Sequence, residues 1–442
     1  MKTLTHFIIL IMSLNVWAYD FSTVEKISFS ETSNTNSLLV YKNNKRVYEK
    51  YANGFNENKK HIAWSVSKSI SSALIGALVY KNKLNIQTSI CNYVKIAEKY
   101  NHCDLTPNDF LSWSSGLDWN EQYENETGDP VTSSVAQMLY GDGVASSTDF
   151  ILRHKNVTEG KKRWNYSTGD SHFLMSLARE VVDPNQKETF PWDYLFNPLG
   201  IKDVTFQRDL AGTFNGGSGI LITPRDLAKV GELYLNRGVM NGQRLFSEDW
   251  YNYTWSEPET FNSNLNNETR AFTSARSWWK LNSDLQKKYN IPDAIYANGH
   301  WGQFLVVIPS MNVVIVRMGN DQTNGFPIIQ VVSEIVKVLE NKNFSENAVA
   351  AEAEALTAGI PYQTPIATLG LNYRAQHTCQ CLFVMNQDEN YCKKLSLVQP
   401  EIFSVAINFE NKSVTSTLDI APGPKAIFKF KDDKTGCVQD VQ

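Results

Sequence analysis

The alternation of apolar and polar residues along the chain divides it into recognisable pieces. Leu38 to Tyr41 and Val47 to Tyr51 read as two strands joined by the turn Lys42-Asn43-Asn44-Lys45. Phe304 to Ile308 and Val313 to Met318 read as a second hairpin around Pro309-Ser310-Met311-Asn312. Between the hairpins the pattern is largely helical. From Ile70 the apolar residues recur at Ala73, Leu74, Ala77 and Leu78, the stripe of a helix packed into a core. Phe173 to Ala178 repeats that spacing, and Thr223-Pro224 opens another helix with a cap residue followed by proline at the first helical position. Pro327 to Leu339 is helical again. Strands from both ends with helices between them predict an α/β fold: an antiparallel sheet flanked by helices, plus a helical lobe. The cleft between the two lobes is where a site is expected.

The pattern changes after residue 344. Ser345 to Thr357 interleaves alanines with acidic residues and has no large apolar stripe, so 345–370 reads as a linker or a solvated helix. From about Leu371 the chain reads as short alternating strands, notably Phe403 to Phe409, Ser413 to Leu418 and Ala426 to Phe430. Residues 371–442 are thus expected to form a small disulfide-stapled β module behind a main domain of residues 19–344. Met1 to Ala18 has the form of a secretory signal: Lys2, an apolar stretch from Phe7 to Leu14, then Val16-Trp17-Ala18 for cleavage. That stretch is too short to span a bilayer, so no transmembrane anchor is expected once the signal is removed.

Composition narrows the classes of function. At 442 residues with 42% apolar content the chain can bury a large core. Its net charge of −4 offers no basic field for nucleic acid. The six cysteines, Cys91, Cys103, Cys379, Cys381, Cys392 and Cys437, are an even number, as an oxidising compartment favours. Cys91 and Cys103 lie close in sequence and far from the rest, so they are expected to pair. The last four permit three pairings. Cys379-Gln380-Cys381 lacks the ligand spacing of zinc ribbons or fingers, so disulfides rather than a metal site are expected there.

The candidate chemistry centres on Ser65-Val66-Ser67-Lys68, which opens the first helical stripe. Three residues along a helix bring a hydroxyl and an amine to one face. Ser65 falls in the first turn, beside unpaired backbone N–H groups and the positive end of the helix dipole, which suits a nucleophile whose reaction generates an oxyanion. A serine hydroxyl needs a base to take its proton, and an ordinary lysine is protonated at neutral pH. Burial or neighbouring positive charge must therefore lower the Lys68 pKa if it serves. Arg163 to Asp170 places Tyr166 in a turn-rich stretch just ahead of the Phe173 helix. Asn298-Gly299-His300-Trp301-Gly302-Gln303 leads into the Phe304 strand, where a glycine-bearing edge lets the backbone approach a substrate and present an N–H. There is no Gly-x-Ser-x-Gly elbow and no His-Glu-x-x-His, and the seven histidines are scattered. His61 reads as structural, and Asp118 and Asp170 as turn or cap groups.

In this order the pieces resemble the serine hydrolases related to class C β-lactamases, penicillin-binding carboxypeptidases, esterases and 6-aminohexanoate-dimer hydrolases. Ser114-Ser115-Gly116-Leu117-Asp118-Trp119 and Asn215-Gly216-Gly217-Ser218-Gly219-Ile220 add to the likeness, which spans roughly Leu38 to Leu339. The resemblance implies a β-lactamase/transpeptidase-like fold and no cofactor. It makes Ser65 the acylated nucleophile, Lys68 the amine that helps deprotonate it, and Tyr166 the shuttle of the proton to the leaving group. The proton is assigned to the Lys68–Tyr166 pair rather than to either residue. The backbone N–H groups of Ser65 and Gln303 would form the oxyanion hole.

Two departures shift the expected substrate. Thr168 stands where β-lactamases of this group carry the asparagine of a Tyr-x-Asn motif, and His300-Trp301-Gly302 stands where they carry Lys-Thr-Gly. A histidine and an indole make a different wall from an ammonium and a small hydroxyl, with Trp301 shaping the acyl pocket. The expected protein is a bacterial periplasmic or secreted serine hydrolase of a small amide or ester, a cell-wall peptide among the candidates. Two other readings stand beside it. One is a catalytically weak, penicillin-binding-like protein that binds cell-wall peptides. The other makes the Cys379 to Cys437 module the functional part. Substrate identity and oligomeric state stay open.

Overall fold

The structure is a computed structural model that describes residues 19–122, 132–156, 162–262, 271–322, 325–340, 364–398, 401–419 and 424–440. The expected signal peptide and the 345–357 stretch lie outside the described residues.

In chain order the first strands are β1 (Thr35–Lys42), β2 (Lys45–Tyr51), β3 (His61–Ile62), β4 (Val204–Phe206), β5 (Ile220–Ile222), β6 (Val239–Met240) and β7 (Gln243–Arg244). Then come β8 (Phe272–Ser274), β9 (Trp279–Leu281), β10 (Ile295–Gly299), β11 (Gln303–Ile308) and β12 (Val313–Gly319). Seven of them form an antiparallel sheet in the order β2-β1-β12-β11-β10-β9-β8, which joins the two expected hairpins directly through β1 and β12. The first hairpin turn is tighter than the sequence suggested. It is the two residues Asn43 and Asn44, both in the left-handed region that a tight hairpin needs and asparagine tolerates.

β11 and β12 are buried on both faces, which explains their nearly unbroken apolar runs. Leu39, Leu305, Val307, Val314 and Val316 point into the main core, with the helix Pro224–Leu235 and the central helix Val66–Tyr80. Leu38, Val40, Val306, Ile308, Val313 and Ile315 face the opposite way, under the helix Ile328–Glu340. The Thr223 hydroxyl accepts from Asp226 N and caps its helix as the sequence implied.

The central helix departs from its expected one-sided stripe, because every residue from Val66 to Leu78 is buried. Three of its four serines are bonded to neighbouring backbone, which makes them tolerable inside. Ser69 donates to Ser277 O at 2.7 Å, Ser71 donates to Gly216 O at 2.9 Å, and Ser67 accepts from Ile220 N at 3.2 Å.

The C-terminal part corrects the sequence reading. Ile366–Phe383 and Glu389–Leu395 are helices, not strands, and they carry Cys379, Cys381 and Cys392. The first is wedged between the main domain and the strands that follow it. Burial therefore runs round it and includes Asn372, Arg374, His377 and Thr378, which hides the helical period. The strands β13 (Phe403–Asn408), β14 (Ser413–Leu418), β15 (Lys425–Asp432) and β16 (Gly436–Gln439) form an antiparallel sheet, three of them where the sequence placed strands. Disulfides join Cys91 to Cys103, Cys379 to Cys437 and Cys381 to Cys392. The second pins the long helix to the last strand, and the third pins the two helices together. This part shares a core with the main domain: Phe55, Ile62, Trp64 and Leu221 pack with Leu371, Ala375, Phe403 and Phe428.

Candidate active site

Three segments meet around Ser65. β3 ends at Ile62, and Trp64 takes a left-handed conformation (φ 46°) that turns the chain into the central helix, with Ser65 at its N-cap position. Tyr166 lies just before Ser167, the N-cap of the helix Thr168–Val181, whose side chain accepts from Asp170 N. The Gly216-Gly217 pair passes across the first turns of that helix. A Cβ on Gly217 would lie 2.5 Å from Thr168 Cγ2, so a side chain there would push the Gly217 carbonyl away from the centre.

Lys68, 1% exposed, is the hub. Its Nζ lies 2.9 Å from Ser65 Oγ, 2.8 Å from Thr168 Oγ1 and 2.9 Å from Gly217 O. The amine also sits 4.8 Å from the centre of the Tyr166 ring, and the Ser65 side chain is near enough to the phenol to oppose part of its upward shift. Burial lowers the Lys68 pKa to about 8, opposed by the Glu121 carboxylate 4.0 Å away. Burial, reinforced by the same carboxylate, raises the Tyr166 phenol well above its ordinary range. The two neighbours of Ser65 are thus driven apart, the amine toward neutrality and the phenol away from ionisation.

Glu121 has no motif to announce it in the sequence, yet it is built into the centre. Its carboxylate accepts from Thr168 N at 2.8 Å, from Trp119 Nε1 at 2.6 Å, and from the Thr168 hydroxyl. Trp113 and Trp279 were also missed. Their rings lie 4.7 and 5.5 Å from that of Tyr166 and wall it in. Tryptophans spaced so far apart in sequence give no local signal.

The Gly299–Gln303 turn closes the other side. A Cβ on Gly299 would come 2.5 Å from Ala63 O, so β10 ends directly against the turn that carries Ser65. Trp301 (φ 57°) and Gly302 (φ 83°) are both left-handed, which delivers Gln303 to the start of β11. The Gln303 side chain is wholly buried, bonded to Gly319 O at 2.7 Å and Gly319 N at 3.0 Å, and so is spent on the fold rather than on a substrate. Behind the turn, fully buried Arg317 donates to Gly302 O at 2.7 Å and pairs with Asp321. The ring of Trp64 lies 5.6 Å from both His300 and Trp301 and 5.0 Å from His377 of the C-terminal part. These rings form an aromatic wall rather than a cationic one.

His61 stands apart from this chemistry. It is buried, bonded to Asn36 Nδ2 and Ile62 O at 2.9 Å each, and its pKa is lowered to about 4 by burial. Asp170 is buried too. Burial raises it to about 8, although Ser115 Oγ donates to it at 2.8 Å. A carboxyl raised from 3.8 favours the folded state while protonated, so its contribution declines as pH climbs from about 4 to 8. Asp170→Asn removes that titration. The melting temperature of the variant is expected to gain on the parent progressively across this window, as thermal unfolding at stepped pH would show. A difference that does not change with pH would contradict it.

Known proteins are similar to this chain in sequence and fold. A 6-aminohexanoate-dimer hydrolase of Paenarthrobacter ureafaciens is 24% identical over 296 residues, covering 66% of this chain and 74% of that protein. Among solved structures, a D-stereospecific amidohydrolase from Streptomyces sp. superposes with a TM-score of 0.53 at 12% identity, over 71% of this chain and 97% of that one. The octameric penicillin-binding protein homologue from Pyrococcus abyssi gives 0.55 at 15% identity, over 95% of this chain and 98% of that one. The likeness to it therefore extends past the main domain. The model of the beta-lactamase family matches residues 32–329, which hold Ser65, Lys68, Tyr166 and the turn before β11 alike. By that match over two thirds of its length, the chain belongs to the beta-lactamase family.

Proposed function

We propose that this serine hydrolase is exported and cleaves a small amide or ester through an acyl-enzyme on Ser65. The observation that carries the mechanism is the buried Lys68 amine 2.9 Å from Ser65 Oγ. A neutral amine has two N–H groups and one lone pair. Gly217 O can only accept, and Thr168 Oγ1 accepts while its own proton goes to Glu121. Both N–H groups are then used, and the lone pair faces Ser65.

Lys68 takes the Ser65 proton as Oγ attacks the substrate carbonyl carbon. The oxyanion that forms is held by the backbone N–H groups of Ser65 and Gln303. Collapse breaks the bond to the leaving nitrogen or oxygen, and the proton passes from Lys68 through the Tyr166 hydroxyl to that atom. Water then attacks the ester on Ser65, returns its proton by the same route, and releases the acid. The phenol's upward shift supports Tyr166 as donor and relay rather than resting base.

The substrate is read as an amide or ester whose acyl group is held by apolar contact. Trp64, His300 and Trp301 offer ring surface where Lys-Thr-Gly relatives offer an ammonium. Export rests on the N-terminal leader pattern, and the three disulfides are compatible with it. The test is a pH profile of kcat/KM on p-nitrophenyl butyrate. Activity is expected to fall on the acid side with an apparent pKa of about 8, as Lys68 becomes protonated. An acid limb set by a group near pH 4 to 5 would contradict Lys68 as the base.

A further inference from the structure

Glu121 and Thr168 together answer a difficulty that Lys68 presents. A hydroxyl beside an amine can turn its proton toward the nitrogen lone pair, and the lone pair would then be lost to the nucleophile. Thr168 Oγ1 is 2.8 Å from Lys68 Nζ, close enough to do this. The Glu121 carboxylate prevents it by accepting the Thr168 proton on the far side. Both of its oxygens are committed. One takes Thr168 N and Trp119 Nε1, and the other takes the Thr168 hydroxyl. A carboxylate can accept on both oxygens at once, which a side-chain amide cannot. Thr168 is also the first residue of its helix, so Glu121 meets an N–H without an intrahelical partner and the positive end of the dipole.

We infer that Glu121 is the positioning residue for the general base: acting through Thr168, it fixes which way the Lys68 lone pair points. The Thr168 that departs from the Tyr-x-Asn pattern and the Glu121 that no motif marks thus form one device. The inference rests on the reading of Lys68 as base. The titratable groups around Lys68 are Glu121, Tyr166 and, on the Thr168–Val181 helix, His172, which burial lowers to about 4 and which therefore adds no charge at working pH.

Glu121→Gln tests this directly. An amide has one accepting oxygen; held by the two donors Thr168 N and Trp119 Nε1, it leaves the NH2 facing Thr168 Oγ1, and the Thr168 proton is released toward Lys68. The expected result is a kcat lower by roughly tenfold or more with KM little changed. The acid limb should move to lower pH, because the carboxylate that favours the Lys68 ammonium is gone. Thr168→Val should lower kcat similarly, Thr168→Ser should restore it, and Glu121→Gln with Thr168→Val should be no worse than Thr168→Val alone. An unmoved acid limb with unchanged kcat, or a double variant that falls by the product of the single effects, would overturn the inference. Thermal unfolding of each variant, and titration of active sites by acyl label, remove loss of folded enzyme from the comparison. A parent enzyme that takes no acyl group on Ser65 would refute the base mechanism itself. Acylation with unchanged Glu121→Gln kinetics would refute only the role of Glu121.

Discussion

Ser65→Ala is expected to reduce kcat/KM by roughly 10,000-fold or more on any ester or amide that the parent turns over. The substitution removes only the oxygen that forms the covalent bond. Ser65 is 8% exposed and sits at the N-cap position, but its side chain makes no capping bond to the helix it precedes. Loss of one small polar atom there leaves the core of the central helix untouched, so the melting temperature should change little. The proposed oxyanion hole and the aromatic wall remain, so a non-hydrolysable analogue should bind as before. Stopped-assay rates beside a binding titration separate these effects. Residual turnover within tenfold of the parent would mean that another nucleophile does the work.

Ending the chain at Glu340 is expected to be as damaging, though the removed part carries none of the proposed catalytic residues. It would expose Phe55, Ile62, Trp64 and Leu221, which share a core with the C-terminal helices and sheet. At roughly 1.5–3 kcal/mol for each large apolar side chain, the four together approach the roughly 5–15 kcal/mol that stabilises a typical domain. Polar ties would go as well. Tyr140 Oη to His377 Nε2 at 2.8 Å and Phe206 N to Lys434 O at 2.8 Å both cross the junction. The ring of Trp64, next to Ser65 in the chain, would lose His377 as its neighbour. Near-UV circular dichroism and turnover of residues 19–340 against the full chain provide the check. A folded, fully active truncated protein would make the C-terminal part accessory.

What the sequence disclosed and what it hid follow from how far apart the partners lie. Both main hairpins were legible because strand alternation and turn residues are local. Ser65, Lys68 and Tyr166 were legible because each lies in a short motif and the motifs keep a recognisable order. The helix Ile366–Phe383 was misread because two surfaces bury it at once, so buried Asn372, Arg374 and Thr378 broke the period that marks a helix. Thr168 stands where the resemblance places an asparagine, and what its hydroxyl does, bonding between Lys68 and Glu121, could not be read from that position. Glu121 itself was invisible. A glutamate after a tryptophan in a loop reads as a solvated charge until the fold carries it to a helix start 47 residues away. The pairing among Cys379, Cys381, Cys392 and Cys437 likewise needed three dimensions, since spacing left all three options open.

The central claim is a covalent acyl-enzyme, and mass spectrometry of the protein during turnover tests it most directly. The mature enzyme is mixed with p-nitrophenyl butyrate, quenched in acid within the first turnovers, weighed intact, and then mapped by peptide. One added butyryl group on the peptide containing Ser65, absent from Ser65→Ala, is the predicted result. Continued release of nitrophenol with no adduct, or with the acyl group on another residue, would contradict the account.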